Sequence, residues 1–182
     1  MEETKVLNVG VRGTVFTTFG EWVKDRTGTD VFNQLKESLS AEEAELVTKA
    51  SKIKRYPLER LLGVFDAAQK RLNLSEWDEF GVYLCAFSLS TRFSDLTAYL
   101  DPETFIRRMP LFWSRYFDAG KMKVAELSDS KAILKLDEPV GDERIVHVFV
   151  GWFRQALSMM RASDIKVEGA EFSWRLSWKW TN

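Results

Sequence analysis

The stretch Phe172-Ser173-Trp174-Arg175-Leu176-Ser177-Trp178-Lys179-Trp180, near the carboxyl end of the sequence, decides the fold. Large apolar side chains alternate in it with polar ones, and a period of two is typical of a β-strand with one buried face. Burial of each such side chain contributes about 1.5–3 kcal/mol in transfer terms. We therefore predict that helices cover the apolar face of the sheet that contains this strand.

Segments upstream of this stretch predict the other strands. Lys121–Leu127 and Lys131–Leu136 flank the turn residues Ser128-Asp129-Ser130, which is typical of a β-hairpin. A further strand is predicted around Lys166–Glu171, and Val6–Val11 is a short candidate strand or lead-in. These segments predict an antiparallel sheet of roughly four strands, built mainly from the C-terminal third.

Before the hairpin, the spacing of apolar residues predicts a series of helices. The first helix ends at Gly28, and Thr29 or Asp30 then caps the second. Ser40-Ala41-Glu42-Glu43 is a capping box for the third helix, because the hydroxyl and a carboxylate can each accept a hydrogen bond from a free backbone amide. Pro57 is predicted at the first position of the fourth helix, where its missing N–H donor is harmless.

The later helices differ in character. Gly81–Phe87 is apolar on every face, so the fifth helix is expected to be central and buried. Asp101-Pro102-Glu103 is a start signal for the sixth helix, and Asp142 can cap the last one. Pro110 cannot donate a hydrogen bond to the carbonyl of Ile106, so we expect a kink or a local break in the sixth helix.

Length and composition restrict the class of protein. The 182 residues suit a single α+β domain, residues 1–182, with about seven helices packed on the sheet. The net charge of −1 gives no long-range attraction to nucleic acid or to an anionic membrane, and no apolar run approaches the ~20 residues that span a bilayer. One cysteine excludes an internal disulfide. Met1–Lys5 lacks the order of a signal peptide, so we expect a cytoplasmic protein.

Three stretches resemble parts of a known family. Val11–Phe16, followed by an aromatic helix, resembles the start of haem-NO/oxygen-binding (H-NOX) domains. Phe105–Met109, followed by Glu126–Ser130, resembles the haem-carrying helix and the next hairpin of that family. The layout from Gly13 to Trp180 is similar to a paralogous family best known from myxobacteria. That family distantly resembles H-NOX domains, 4-vinyl reductase small-molecule-binding domains and Bet-type subunits of the TRAPP vesicle-tethering complex.

The sequence also departs from these families. H-NOX domains bind the haem iron through a histidine, and the resemblance places Trp113 near that position. Their Tyr-x-Ser-x-Arg motif has no counterpart in Tyr116–Gly120, which lacks both the serine and the arginine. The cysteine cluster of 4-vinyl reductase domains is absent as well. The resemblance therefore implies a fold and a tendency to bind hydrophobic ligands or partners, and we predict no cofactor.

The residues around Pro110 are the best candidate for a ligand pocket. A break in a helix separates it locally from its neighbours and can open a cavity lined by aromatic rings. The alternative is a kinked core helix without a cavity. The predicted ligand-binding residues are Leu84, Met109, Phe112, Trp113 and Tyr116.

No residue pattern predicts catalysis. His147 is the only histidine and lies away from the apolar face of the last helix, so we expect it to be exposed. Cys85 lies in an apolar run and is expected to be a buried, inert thiol. The sharper alternative, acylation of this cysteine as in Bet-type subunits, fails on position.

These observations favour a non-enzymatic sensory or scaffold module that binds a hydrophobic small molecule or a protein partner as a homodimer. The occupant would bias the broken helix between two arrangements. The alternative is a haem-based diatomic-gas sensor domain with non-standard ligation, through His147 or a non-histidine ligand. The strand from Phe172 is predicted to be covered by helices, and the alternative leaves its Trp180 end exposed as a subunit interface.

Overall fold

The computed structural model describes residues 9–92 and 101–180. Its helices are α1 (Gly13–Thr27), α2 (Thr29–Glu37), α3 (Ala41–Lys49), α4 (Leu58–Leu72), α5 (Trp77–Arg92), α6 (Pro102–Arg107), α7 (Met109–Tyr116) and α8 (Glu143–Met159). Its strands are β1 (Gly10–Arg12), β2 (Arg55–Pro57), β3 (Met122–Ser128), β4 (Lys131–Leu136), β5 (Ser163–Ala170) and β6 (Ser173–Lys179). The α+β class is confirmed. The described residues form one helix more than predicted, because the break near Pro110 divides the sixth predicted helix into α6 and α7.

The main sheet has four antiparallel strands in the order β3-β4-β6-β5. The strand predicted from the alternating stretch is central in it, between β4 and β5. Trp174, Leu176 and Trp178 are buried on the face that α8 covers. The prediction of a helix-covered apolar face is therefore confirmed.

The turn between β5 and β6 corrects two strand ends. Glu171 and Phe172 were predicted to lie in strands, but both have positive φ angles, 49° and 53°, and form a two-residue turn between Ala170 and Ser173. A tight hairpin needs positive φ at both turn residues, which usually selects asparagine or glycine. Because neither is present, no residue pattern predicts this turn.

A second sheet, of two strands, was not predicted. β1 pairs with β2 and joins the start of α1 to the start of α4. Of the predicted strand Val6–Val11, residues 6–8 lie outside the described part of the chain. Pro57 is the last residue of β2 and the N-cap of α4, so its predicted place inside the helix was wrong by one position. The reason is its extended ψ angle of 132°, which the pairing with Gly10 requires.

The junction between α1 and α2 also differs from the prediction. Neither Thr29 nor Asp30 is the N-cap, since α2 already begins at Thr29 and Gly28 is the cap residue. The amide of Gly28 donates to the carbonyl of Lys24 and ends α1, while its own carbonyl accepts from Phe32 and begins α2. Gly28 has a φ of 88°, which a glycine adopts without strain. One residue thus serves both helices, and no side-chain cap fits between them.

Other helix signals are confirmed. The Ser40 hydroxyl and the Glu43 carboxylate form the complete capping box of α3. Asp101 caps α6 by accepting a hydrogen bond from the amide of Thr104, and Asp142 caps α8 by accepting one from Arg144. The break between α6 and α7 falls at Arg108, one residue before Met109 and two before Pro110.

Helix α8 lies between α5 and the main sheet. The prediction that the fifth helix is buried on every face is only partly right, because Phe80, Gly81, Leu84 and Cys85 are buried but Val82 and Tyr83 are half-buried. No helix in residues 9–92 or 101–180 is long and apolar enough to cross a membrane.

Candidate functional site

Of the predicted ligand-binding residues, Phe112, Trp113 and Tyr116 lie against Phe149 or Trp152 of α8, and Leu84 of α5 lines one void with Tyr116. Leu84, Met109, Trp113 and Tyr116 are buried, and Phe112 is half-buried. The broken helix and the terminal strand converge in this interior, since the ring centroids of Trp113 and Trp174 are 6.2 Å apart. The position of Trp113 is fixed from both sides, because its ring also stacks on Phe117 at 4.4 Å and its indole N–H donates to the carbonyl of Ala119.

The residues of this interior pack closely. A void of about 10 Å³ lies between α1, α4, α5, α7 and α8, and Leu84 and Tyr116 contribute to its wall. Such a volume holds about one water molecule, and an apolar void of this kind stays dry. The lining residues are Val15, Leu61, Phe65, Phe80, Leu84, Tyr116, Phe117, Ile145, Val148 and Phe149. Met109, Phe112 and Trp113 lie outside that wall, so this void adjoins only part of the predicted site.

A few polar groups lie among the apolar side chains of this interior. Burial raises the pKa of the Tyr116 phenol to about 12, while the nearby Ser88 hydroxyl and Trp152 indole oppose that rise. The indole N–H of Trp152 is fully buried and makes no hydrogen bond of normal geometry, although it lies close enough to the Tyr116 phenol to lower its pKa. We call Cys85, Ser88, Tyr116 and Trp152 the interior polar cluster, and Cys85 belongs to it because its thiol influences the Tyr116 pKa.

The chemistry of this cluster is not that of a catalytic site. Burial raises the pKa of the Cys85 thiol well above its usual value, so the thiol stays protonated at neutral pH. His147 is exposed on α8, as predicted, and is the only histidine of the chain. Among the described residues there is no group of three or more side chains that could hold a metal ion.

The buried phenol predicts a loss of stability in strong alkali. Because the folded-state pKa of Tyr116, about 12, exceeds the ordinary value of 10, its contribution is complete below pH 10 and is lost as the pH rises towards 12. We expect the wild-type protein to lose about 2 kcal/mol more of its free energy of unfolding over this range than Tyr116→Phe does. Urea unfolding of both proteins at the two pH values measures the difference. An equal loss in both would mean that the phenol ionises as if exposed.

Two larger depressions lie on the outer face of the main sheet, opposite α8. Their volumes are about 360 and 440 Å³, and Ile133, Glu168 and Arg175 contribute to both. These three residues form one row across β4, β6 and β5. No function is predicted for this face, although the alternation of Ser173, Arg175 and Ser177 with apolar residues marks it as the polar side of the strand.

Solved structures of H-NOX proteins are similar to this chain over nearly its whole length. A mutant H-NOX protein from K. algicida, in the unliganded Fe(II) state, has a TM-score of 0.72 and 13% identity over 93% of this chain and 97% of that one. A mutant Tt H-NOX has a TM-score of 0.71 and 15% identity over 94% and 96% of the two chains. A mutant H-NOX protein from S. oneidensis, in the Fe(II) ligation state, has a TM-score of 0.68 and 17% identity over 94% and 97%.

The similarity is one of fold. No protein-family model and no curated protein matches the sequence. At these identities the solved structures show that the chain has the H-NOX fold, as the resemblance in its sequence predicted.

The residues of the interior do not fit a haem group. Trp113 lies where the resemblance places the iron-binding histidine, and the single histidine, His147, is exposed on another helix. Of the remaining candidate ligands, the Cys85 thiol and the Tyr116 phenol are both held protonated by burial, and the Met109 thioether is a ligand that haem proteins use together with a histidine. Iron binding through the thiol or the phenol requires loss of that proton.

Haemin added to the purified protein is therefore expected to keep the broad absorption spectrum of free haemin. Absorption spectroscopy of the protein as purified, and after titration with haemin, checks this expectation. A sharp Soret band that saturates at one haem per chain would contradict it, and His147→Ala would then show whether the exposed histidine is the ligand.

Proposed function

We propose that this chain is a non-enzymatic sensory domain that binds a small hydrophobic ligand in the interior between α5, α7 and α8. The observation that carries the proposal is the buried indole N–H of Trp152, which faces the Tyr116 phenol but makes no hydrogen bond of normal geometry to it or to another described atom. A buried donor without a partner costs about 1–3 kcal/mol, and a ligand acceptor would recover that free energy. An apolar wall with few polar groups is typical of sites for small molecules.

The chemistry of the cluster restricts the ligand. Trp152 offers a donor, and Tyr116 offers a hydroxyl that stays protonated over the physiological pH range. The surrounding side chains are apolar, including Leu84 and Phe149 on the wall of the void. The ligand is thus an uncharged apolar molecule with one hydrogen-bond acceptor, because a charged group would lose its hydration without compensation.

Binding requires the interior to expand, and the break at Arg108 allows this. Arg108 has φ −91° and ψ −3°, a sparsely populated backbone region in which α6 and α7 are no longer one continuous helix. Movement of α7 about this residue would carry Trp113 and Tyr116 away from Phe149 and Trp152 of α8. A ligand that binds only the opened arrangement shifts the population towards it, which is how a sensory domain transmits occupancy.

Replacement of Trp152 by phenylalanine tests the role of the unpaired donor. We expect the protein purified from cells to retain an apolar adduct in native mass spectra, and Trp152→Phe to reduce the occupied fraction about tenfold. Trp178 is the matched control, because its indole N–H is also buried and without a partner but belongs to the terminal strand. Trp178→Phe should retain the adduct.

Two results would contradict the proposal. One is a wild-type spectrum free of any adduct, and the other is equal retention by the two phenylalanine variants.

The same spectra report the oligomeric state, for which we propose a homodimer with the Trp180 end of β6 at the interface. Trp180 is 38% exposed, although its indole N–H donates to the carbonyl of Met160. We also propose that the protein is cytoplasmic, because the cytoplasm keeps a free cysteine such as Cys85 reduced.

A further inference from the structure

The two most exposed large apolar side chains in the described part of the chain lie in one region of the surface. Ile53 is 69% exposed and Leu111 is 57% exposed. The loop that carries Ile53 is joined to α7, which carries Leu111, by a hydrogen bond from the guanidinium of Arg55 to the carbonyl of Ser114 at 2.8 Å. Neither side chain contributes to the core, so the stability of the fold does not explain why these exposed residues are apolar.

Ile53 lies at the tip of a fixed turn. The amide of Lys54 donates to the carbonyl of Ser51 and closes the turn, and the amide of Ser51 donates to the phenol oxygen of Tyr56. The carbonyl of Lys54 also accepts from the amide of Gly13 at the start of α1. Exposed turn tips favour glycine, asparagine and aspartate, and an isoleucine held there by three hydrogen bonds projects its side chain into solvent.

Helix α7 continues the same surface. Arg108, Leu111 and Ser114 are exposed and spaced three residues apart, so they lie on one side of the helix. This side is opposite to Trp113 and Tyr116, which are buried in the core. The turn tip and this helix side together form what we call the basic tip.

Positive charge surrounds the two apolar side chains. The basic residues of the tip are Lys52, Lys54, Arg55 and Arg108, and Arg107 and Arg115 are their neighbours in the sequence of α6 and α7. Arg107 is paired with Glu103 at 2.6 Å, and the Lys52 ammonium lies 5.4 Å from the centre of the Phe87 ring. The chain as a whole has a net charge of −1, so the basic tip is a local concentration of charge against an acidic balance elsewhere.

We propose that the basic tip docks the protein on the surface of an anionic lipid bilayer. Ile53 and Leu111 insert among the acyl chains at the headgroup boundary, and the flanking lysines and arginines bind lipid phosphates. An apolar side chain on a projecting turn between two lysines suits a soft, planar anionic surface. A protein partner is less well matched, because protein interfaces favour aromatic anchors and are depleted in lysine. This inference does not depend on the interior ligand.

Sedimentation with lipid vesicles tests the proposal. We expect the whole chain to sediment with phosphatidylcholine vesicles that contain one third phosphatidylglycerol, and to remain in solution with phosphatidylcholine alone. Each basic residue near an anionic surface strengthens binding by about fivefold, so Lys52→Gln with Lys54→Gln is expected to weaken it about 25-fold. Ile53→Ser is expected to weaken it about tenfold by removing the inserted side chain.

A charge-matched control separates this face from the rest of the surface. Lys131→Gln with Lys135→Gln removes the same charge from the outer face of the main sheet, and is expected to change binding by less than about threefold because salt screens distant charges. Equal sedimentation with both kinds of vesicle, or an equal loss in the control, would overturn the proposal. Polyglutamate binding as tight as vesicle binding, with no effect of Ile53→Ser, would overturn it in favour of an acidic polypeptide.

Discussion

Replacement of Gly151 by alanine is expected to lower the free energy of unfolding by about 3 kcal/mol. Gly151 lies where α8 crosses α5, and a Cβ atom built on it would overlap the carbonyl oxygen of Asp78 in the backbone of α5. The same crossing contains Gly81, whose Cβ would overlap the carbonyl oxygen of Val148. Because each overlap is with the backbone of the other helix, it can be relieved only by separating α5 from α8 along their contact. Urea unfolding, followed by tryptophan fluorescence, measures the effect.

Gly63 supplies the matched control. It also lies within a helix, α4, but a Cβ atom there would meet only the carboxylate end of Glu43, which can shift at the expense of its bonds in the capping box of α3. Gly63→Ala is therefore expected to change stability by no more than about 1 kcal/mol, since alanine also favours the helix. If Gly151→Ala and Gly63→Ala had equal effects, the close crossing of α5 and α8 would be wrong.

Gly81→Ala combined with Gly151→Ala is expected to cost less than the sum of the two single changes. The first substitution already forces the helices apart, and the second then meets less resistance. Strict additivity would indicate that the two glycines lie at separate contacts.

Trp174→Ala is expected to lower the free energy of unfolding by about 4 kcal/mol, as is typical of a large aromatic side chain removed from a core. Trp174 is fully buried at the centre of β6, and its ring packs on Trp113 and Phe153. Its indole N–H donates to the carbonyl of Val146, which joins the sheet to α8. Alanine would leave a cavity and deprive that buried carbonyl of its donor.

Trp180, at the end of the same alternating stretch, is the matched comparison for Trp174. Its indole N–H also donates to a backbone carbonyl, that of Met160, but the side chain is 38% exposed. Water can therefore replace both the hydrogen bond and part of the contact, and Trp180→Ala is expected to cost less than about 1 kcal/mol. Chemical denaturation of both variants measures the difference. Similar losses would mean that Trp174 does not lie in the main core.

Helix α7 relates the two proposals to each other. Its inner side carries Trp113 and Tyr116 of the proposed ligand site, and its outer side carries Leu111 of the basic tip. The helix begins at the break beside Arg108, so a movement that opens the interior also moves part of the tip. The two proposals are nevertheless tested by different variants, at Trp152 and at Ile53.

Local features of the site were predictable from the sequence. The proline at position 110 marked the break, because a missing N–H and a ring clash disrupt a helix in any surroundings. Cys85 was predicted to be buried and His147 to be exposed from their places on apolar and polar helix faces. The basic tip was not predicted, because the turn of Ile53 and helix α7 are distant in sequence and are joined only in the folded structure, by the hydrogen bond from Arg55 to Ser114.

The sequence by itself determined the α+β class, the helix-covered face of the terminal strand, and the break in the helix before Tyr116. These features depend on periodicity and on the geometry of single residues, which act over a few positions of the chain. Only the tertiary structure decided the β1–β2 pairing, the glycine crossing of α5 and α8, the unpaired donor of Trp152 and the joining of Ile53 to Leu111. Each of these depends on which distant backbones approach one another, and that outcome follows from the packing of the whole core and not from any local pattern.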